Sequence, residues 1–224
     1  KIISTMMGNR NKTTFKFYFI TDDHAPHLSP LDQVQIAISA GATIVQYRCK
    51  SFAPGDYHMA ATIGDLCHQH QVSFLINDDV LLAKALGADG VHLGQEDTAP
   101  GLARHILGVD SIIGLSVSNL KELQNSDLTD CDYIGTGPAF VTRTKLDAKP
   151  VRGPTGLARI AELSPLPMVA IGGITADTVA SCFRVGADGV AVISYITRAA
   201  DPLRNALEFG KACGCPPRDM VLNG

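Results

Sequence analysis

The segment Gly135-Thr-Gly-Pro-Ala-Phe-Val-Thr-Arg-Thr-Lys-Leu-Asp147 concentrates residues that could do chemistry. Thr142, Thr144 and Lys145 place two hydroxyls and a cation within four residues, a set suited to phosphate oxygens. Gly135 and Gly137 read as positions where backbone lets a ligand come close. Other apolar runs end in polar residues fit for the same task. In Gln46-Tyr-Arg48-Cys-Lys50 alternate side chains share one side, giving an amide and two cations that call for an anionic partner. Asn77-Asp78-Asp79 and His92-Leu-Gly-Gln-Glu-Asp97 end two successive runs in carboxylates. Asp78 and Asp97 could share a divalent ion, and Mg²⁺ is content with one or two carboxylates plus water and substrate phosphates. Asp97 and Asp79 read equally well as caps of the helices that follow. His92, inside an apolar run, reads as a satisfied core histidine. Ser116 ends another run, with no Gly-x-Ser-x-Gly elbow around it to suggest a nucleophile. Gly172-Gly173 and Ser194 offer backbone N–H groups and a hydroxyl to a second anion.

These residues need elements to position them. Short apolar runs at 17–22, 43–48, 73–77, 89–93, 111–115, 131–136, 167–171 and 189–194 read as strands. Between them apolar residues recur at helical spacing, as in Leu31, Val34 and Ile38, or Val179, Cys182 and Phe183. Alternating strands and helices predict parallel βαβ units. Gly41-Ala-Thr-Ile-Val, Gly87-Ala-Asp-Gly-Val and Gly186-Ala-Asp-Gly-Val repeat one pattern, with Asp130-Cys-Asp-Tyr-Ile a weaker copy. Each reads as a glycine closing a helix just before a strand. Eight units predict a (β/α)₈ TIM barrel, an eight-stranded parallel barrel, over residues 14–212, with an open doubly wound sheet as the alternative. Residues 1–13 read as a disordered leader and 213–224 as a C-terminal tail. The polar run-ends then gather at the C-terminal face of the barrel, where such folds keep their sites.

Composition bounds the function. The 224 residues carry a net charge of -3, against the strongly basic face that nucleic-acid binding requires. No apolar run approaches the roughly 20 residues of a membrane-spanning helix. The six cysteines lack zinc or disulfide-framework spacing and read as free thiols of a reducing cytoplasm. Cys213 and Cys215 fall in what reads as a loose tail. Small molecules are the expected partners, with no nucleic acid and no membrane; the oligomeric state stays open, a homo-oligomer being one option. The site has one cationic, metal-assisted end suited to a pyrophosphate and one of backbone N–H and hydroxyl groups suited to a monophosphate. No nucleophile or general-base dyad lies between them, which predicts chemistry by positioning and leaving-group stabilisation.

Taken together, Gln46-x-Arg48-x-Lys50, Ile76-Asn77-Asp78, Gly90 to Asp97, Gly114-x-Ser116, Gly135-x-Gly-Pro with Thr142-x-Thr144-Lys145, Ala170 to Gly173 and Val192-Ile-Ser194 resemble the thiamine-phosphate synthase (thiamine-phosphate pyrophosphorylase) family over about residues 17 to 203. The resemblance implies a transferase of thiamine biosynthesis. Hydroxymethylpyrimidine pyrophosphate would lose pyrophosphate to leave a carbocation, and the thiazole phosphate nitrogen would attack it. It further implies that Gln46 holds the pyrimidine, while Arg48, Lys50, Asn77 and Lys145 hold pyrophosphate and Ser116 bonds the same substrate. Asp78 and Asp97 would bind Mg²⁺, and Thr142, Arg143, Thr144, Gly173, Ile193 and Ser194 would cradle the thiazole phosphate. Arg48, Ser116 and Lys145 would act on the reacting groups, with the loop 138–153 closing over both substrates. Cys49, Val141 and Asp79 depart from residues common in the family, and Cys49 is expected to face away from the site. Two other functions remain in view: a thiazole tautomerase, which carries a His where this chain has Ser118, and a non-catalytic barrel that binds thiamine precursors.

Overall fold

A computed structural model describes residues 14–142 and 153–219. Eight strands run in order around a closed parallel barrel: β1 Phe17–Ile20, β2 Ile44–Tyr47, β3 Ser73–Asn77, β4 Gly90–Leu93, β5 Ile112–Ser116, β6 Tyr133–Thr136, β7 Met168–Ile171 and β8 Gly189–Val192. β1 closes against β8 with Phe17, Tyr18 and Phe19 opposite Val190, Ala191 and Val192. The helices α1 Pro30–Ser39, α2 Tyr57–Gln69, α3 Val80–Leu86, α4 Pro100–Leu107, α5 Leu120–Asn125, α6 Gly153–Leu163, α7 Ala176–Arg184, α8 Ser194–Thr197 and α9 Pro202–Ala212 connect and surround them. This is the expected (β/α)₈ barrel. No described helix is long and apolar enough to cross a membrane.

Alternation along each strand sorts side chains into two layers. Phe17, Phe19, Val45, Phe74, Ile76 and Val91 point outward into the large core beneath the helices, with Val34 and Ile38 of α1 and Val179 and Cys182 of α7. Tyr18, Ile20, Ile44, Leu75, Tyr133, Val169 and Ala191 point inward and fill the barrel. Each fully buried large apolar side chain contributes about 1.5–3 kcal/mol, so the outer layer carries most of the stability.

The repeated Gly-Ala-Asp pattern has a reason beyond helix termination. Asp89 Oδ2 accepts the backbone N–H of Phe74 (2.7 Å), Asp132 Oδ2 that of Ile113 (2.8 Å) and Asp188 Oδ2 that of Met168 (2.8 Å). Thr43 Oγ1 accepts that of Phe17 in the same way (3.2 Å). Each therefore satisfies a donor at the start of the preceding strand, tying strands into pairs at the bottom of the barrel. Gly87 is itself the left-handed cap of α3, whereas Gly41 and Gly186 follow the caps Ala40 and Val185 of α1 and α7.

The start of the expected C-terminal tail is not loose. Cys213 and Cys215 are buried, Arg218 donates from its backbone N–H to the Ser39 carbonyl (2.9 Å), and its guanidinium donates to the His70 carbonyl (2.8 Å). The segment packs on α1 and α2 because the two thiols, small and apolar, belong to the outer core. Burial pushes both thiols up, so they are poor nucleophiles and poor metal ligands.

Candidate active site

At the C-terminal face the ends of β4 to β8 surround a cavity of about 660 Å³. Its wall includes Asp97, Ser116, Gly135, Thr142, Gly173, Ile193 and Ser194, all predicted from sequence, and Gln95, Ser118, Thr175 and Tyr195, which were not. Gln46, Arg48, Lys50, Asn77 and Asp78 come from the β2–β3 side of the same face. Arg143, Thr144 and Lys145, with most of the loop 138–153, lie outside the described residues.

Gln46 is only 2% exposed and points into the barrel. Its Oε1 accepts from the Tyr18 hydroxyl (2.8 Å) and its Nε2 donates to Asn77 Oδ1 (2.6 Å). Asn77 Nδ2 in turn donates to Asp78 Oδ2 (2.5 Å). The expectation that Gln46, Arg48 and Lys50 share a strand face holds only at its start. β2 ends at Tyr47, and Lys50 sits exposed in a turn, its backbone N–H bonded to Asp23 Oδ2 (2.8 Å). Cys49 packs against the outer core, away from the cavity as expected.

Asp78 takes a left-handed backbone conformation (φ +63°) with its N–H on the His92 carbonyl (2.8 Å). Such a conformation costs a non-glycine residue about 1–2 kcal/mol and is tolerated where the surroundings hold it. It turns the carboxylate toward Asp97. Burial, then the hydrogen bond and charge of Asp97, push the Asp78 carboxyl up to about 6, although Asn77 and Arg48 pull the other way. Two carboxylates held together at such a cost fit a shared cation. Among the described residues no cluster of three or more His, Cys, Asp or Glu could bind a metal unaided. The pair therefore suits an ion that keeps water and takes substrate oxygens, as Mg²⁺ does.

The two capping alternatives separate cleanly. Asp79 does cap α3, accepting the Leu82 N–H (2.8 Å). Asp97 does not cap α4, whose N-cap is Ala99; its Oδ2 accepts the Gly94 N–H (2.6 Å) and so holds the carboxylate at the cavity wall.

The glycines answer a packing demand as well as the expected one. A Cβ on Gly135 would lie 2.8 Å from His92 Cε1, and one on Gly137 2.2 Å from the Ile171 carbonyl oxygen. The positions their missing side chains would take are filled by the protein's own atoms, while both residues still line the cavity. His92 is a satisfied inner histidine as read, with Nδ1 on the Tyr133 hydroxyl (2.8 Å), but its Nε2 lies 2.9 Å from Ser116 Oγ. Tyr18 and Tyr133 escaped the sequence reading. The available signal was a hydroxyl on an inward strand position, which must find a partner when buried.

Chemistry of this kind has a family. The family model for thiamine monophosphate synthase matches residues 17–196. The chain belongs to the thiamine monophosphate synthase family. It is similar to the thiamine-phosphate synthase of Streptococcus suis, 43% identical over 201 residues and 87% of each chain. It is also similar to that of Bacillus velezensis, 39% identical over 89% of this chain and 91% of the relative. Among solved structures it resembles the thiamine phosphate pyrophosphorylase of Pyrococcus furiosus, with a TM-score of 0.81 and 35% identity over 90% of this chain and 96% of that one. Members of this family are transferases of thiamine biosynthesis, and this chain is a transferase of that class.

β8, whose end forms part of the cavity wall, pairs with β1 to close the barrel. There Asp22, buried just past β1, receives both Nε (2.7 Å) and a terminal amino group (3.1 Å) of Arg198, which follows α8. Thr197 Oγ1 adds a third donor (3.1 Å). Burial alone would raise the Asp22 carboxyl, but these donors outweigh it and hold the group below the usual carboxylate range. Its stabilising contribution is thus present above that range and lost as pH falls through the depressed value. Breaking a buried pair costs about 3–5 kcal/mol, and Arg198, 38% exposed, places this one at the lower end. Asp22→Ala should therefore lower the urea midpoint by an amount worth about 3 kcal/mol; a midpoint equal to wild type would mean that the clamp contributes nothing.

Proposed function

We propose that the chain transfers the hydroxymethylpyrimidine group from its pyrophosphate to thiazole phosphate, releasing pyrophosphate and forming thiamine phosphate with Mg²⁺ dependence. The observation that carries this reading is the cavity itself, with a carboxylate pair at one end and the Gly172-Gly173 turn with Ser194 at the other. The C–O bond to pyrophosphate breaks with its electron pair leaving on oxygen. The thiazole nitrogen then donates its lone pair to the pyrimidine carbocation, and no protein nucleophile or base is needed.

Asp78 and Asp97 would hold Mg²⁺, which when bound supplies positive charge to the pyrophosphate oxygens. Arg48, Lys50, Asn77 and Lys145 are proposed to hold that pyrophosphate, with Gln46 and Ser116 aligning the pyrimidine portion. Thr142, Arg143, Thr144, Gly173, Ile193 and Ser194 are proposed to fix the thiazole phosphate at the opposite end. Holding the nitrogen against the reacting carbon saves the entropy of a bimolecular encounter. The intermediate's lifetime in water makes exclusion of solvent part of the same task.

Mixing the protein with both substrates and Mg²⁺ should yield thiamine phosphate, and EDTA should suppress it; folded protein without product would refute the proposal. Ser194→Ala should raise the KM for thiazole phosphate about 10-fold or more, the worth of one hydrogen bond to a charged group, while leaving kcat within about twofold. An effect confined to the pyrimidine substrate would reverse the assignment of the two ends.

A further inference from the structure

The structure assigns a positioning role to a file of hydrogen-bonded side chains that crosses the barrel interior from Ser116 through His92, Tyr133, Tyr18, Gln46 and Asn77 to Asp78. Its catalytic consequence rests on the synthase reading; its geometry does not.

The direction of every bond in the file follows from how Asn77 is turned. Asn77 turns Nδ2, which can only donate, to Asp78 Oδ2 (2.5 Å), and Oδ1, which can only accept, to Gln46. Gln46 must then give Nε2 to Asn77 (2.6 Å), which leaves Oε1 to accept from Tyr18 (2.8 Å). Tyr18 has one proton and has spent it on Gln46. In the 2.7 Å contact between the two phenols, Tyr133 is therefore the donor. Tyr133 in turn has no proton left for His92, so the imidazole must carry its hydrogen on Nδ1 (2.8 Å). With one ring proton, Nε2 is an acceptor, and Ser116 points its hydroxyl hydrogen inward to it (2.9 Å). In the resting protein Ser116 thus presents lone pairs to the cavity that it lines.

Independent features of the fold make room for this file. A Cβ on Gly114 would lie 2.2 Å from Tyr133 Cζ, and one on Gly135 2.8 Å from His92 Cε1, so two strand positions are emptied for the two rings. The Phe15 ring packs on Tyr133 at 4.8 Å and the Tyr18 ring at 5.9 Å, fixing the phenol that sets the tautomer. Both phenols are wholly buried, and burial keeps them protonated as the file requires. Tyr133 and His92 act through Ser116 and are positioning residues.

The test reads the tautomer and the rate together. Ring ¹⁵N shifts, with His92 identified by its absence in a His92→Gln spectrum, should show the Nδ1–H tautomer dominant in the wild type. Tyr133→Phe keeps the ring but removes the acceptor, and should convert this to a mixture; Tyr18→Phe should do the same by freeing the Tyr133 proton. Tyr133→Phe should lower kcat about 10-fold or more, the effect of removing an orienting partner, with the KM for thiazole phosphate unchanged. In a Ser116→Ala background Tyr133→Phe should cost nothing further, because the file acts through that hydroxyl. A dominant Nε2–H tautomer in the wild type, or a full additive loss in the double variant, overturns the proposal. Absence of synthase turnover in the wild type would sink the synthase reading alone, since the tautomer measurement needs no substrate.

Discussion

Asp78→Asn is expected to lower turnover about 10²–10³-fold, the usual effect of losing a group that stabilises developing charge. Asparagine tolerates the left-handed backbone that Asp78 adopts (φ +63°), so the change removes charge without forcing the chain elsewhere. Metal-free stability should move in the opposite direction. The Asp78 carboxyl is raised to about 6, chiefly by burial and then by Asp97. A raised carboxyl favours the folded state at low pH and loses that advantage as pH climbs through about 6, so the wild type without metal should weaken between about pH 4 and 7. The carboxyl is desolvated on its Asp97 side only, and the residue as a whole stays open to solvent and is screened, so the effect should not exceed about 1 kcal/mol. The asparagine variant should escape it, melting at or slightly above the wild-type temperature at neutral pH. Mg²⁺ should raise the wild-type melting temperature above pH 6 and leave the variant unmoved. Thermal melts with and without Mg²⁺ at two pH values check each part; equal Mg²⁺ shifts in both proteins would take Asp78 out of the metal site.

Gly114→Ala should be among the most damaging single changes in the interior, although it adds one carbon. That carbon would lie 2.2 Å from Tyr133 Cζ and 2.4 Å from its hydroxyl oxygen. The ring cannot retreat, because Phe15, Tyr18 and His92 pack around it. Overpacking of this kind costs about 1–3 kcal/mol. Displacing the phenol also breaks its bonds to Tyr18 and His92, for roughly 1–3 kcal/mol more. A total near 4 kcal/mol would lower the melting temperature by about 10 °C in a chain of this length. Adding Tyr133→Phe removes the hydroxyl oxygen at 2.4 Å but keeps the ring carbons, Cζ at 2.2 Å among them, and should restore only a small part of the loss. A Gly114→Ala protein that melts with the wild type would show that the strand, not the ring, gives way.

All eight apolar runs became strands because their alternation commits each residue to the inner or outer layer before any partner is chosen. The ends are where the reading slipped. The runs at 17–22 and 189–194 end two residues late, since β1 stops at Ile20 and β8 at Val192, where the chain leaves the ladder for the cavity loops. The run at 111–115 ends one residue early, and the residue it omits, Ser116, closes β5 at the cavity wall. The polar run-ends were legible as a site because charge at the end of an apolar strand demands a partner. Whether each faced the cavity was not. Lys50 lies beyond the strand that would have aimed it, and Asp97 holds a loop N–H where a helix cap had been equally plausible.

By itself the sequence determined the eight-unit barrel, the face that carries the site and the family, because these depend on local periodicity and on residue types at short spacing. Only the tertiary structure decided which side chains meet. Tyr18 and Tyr133, 115 residues apart, touch because barrel closure brings inward positions of non-adjacent strands to one axis. Gly135 lines the cavity, and the side-chain position it leaves empty faces His92 for the same reason. Asp78 and Asp97 repel each other because a left-handed turn, invisible in one-dimensional spacing, points one carboxylate at the other.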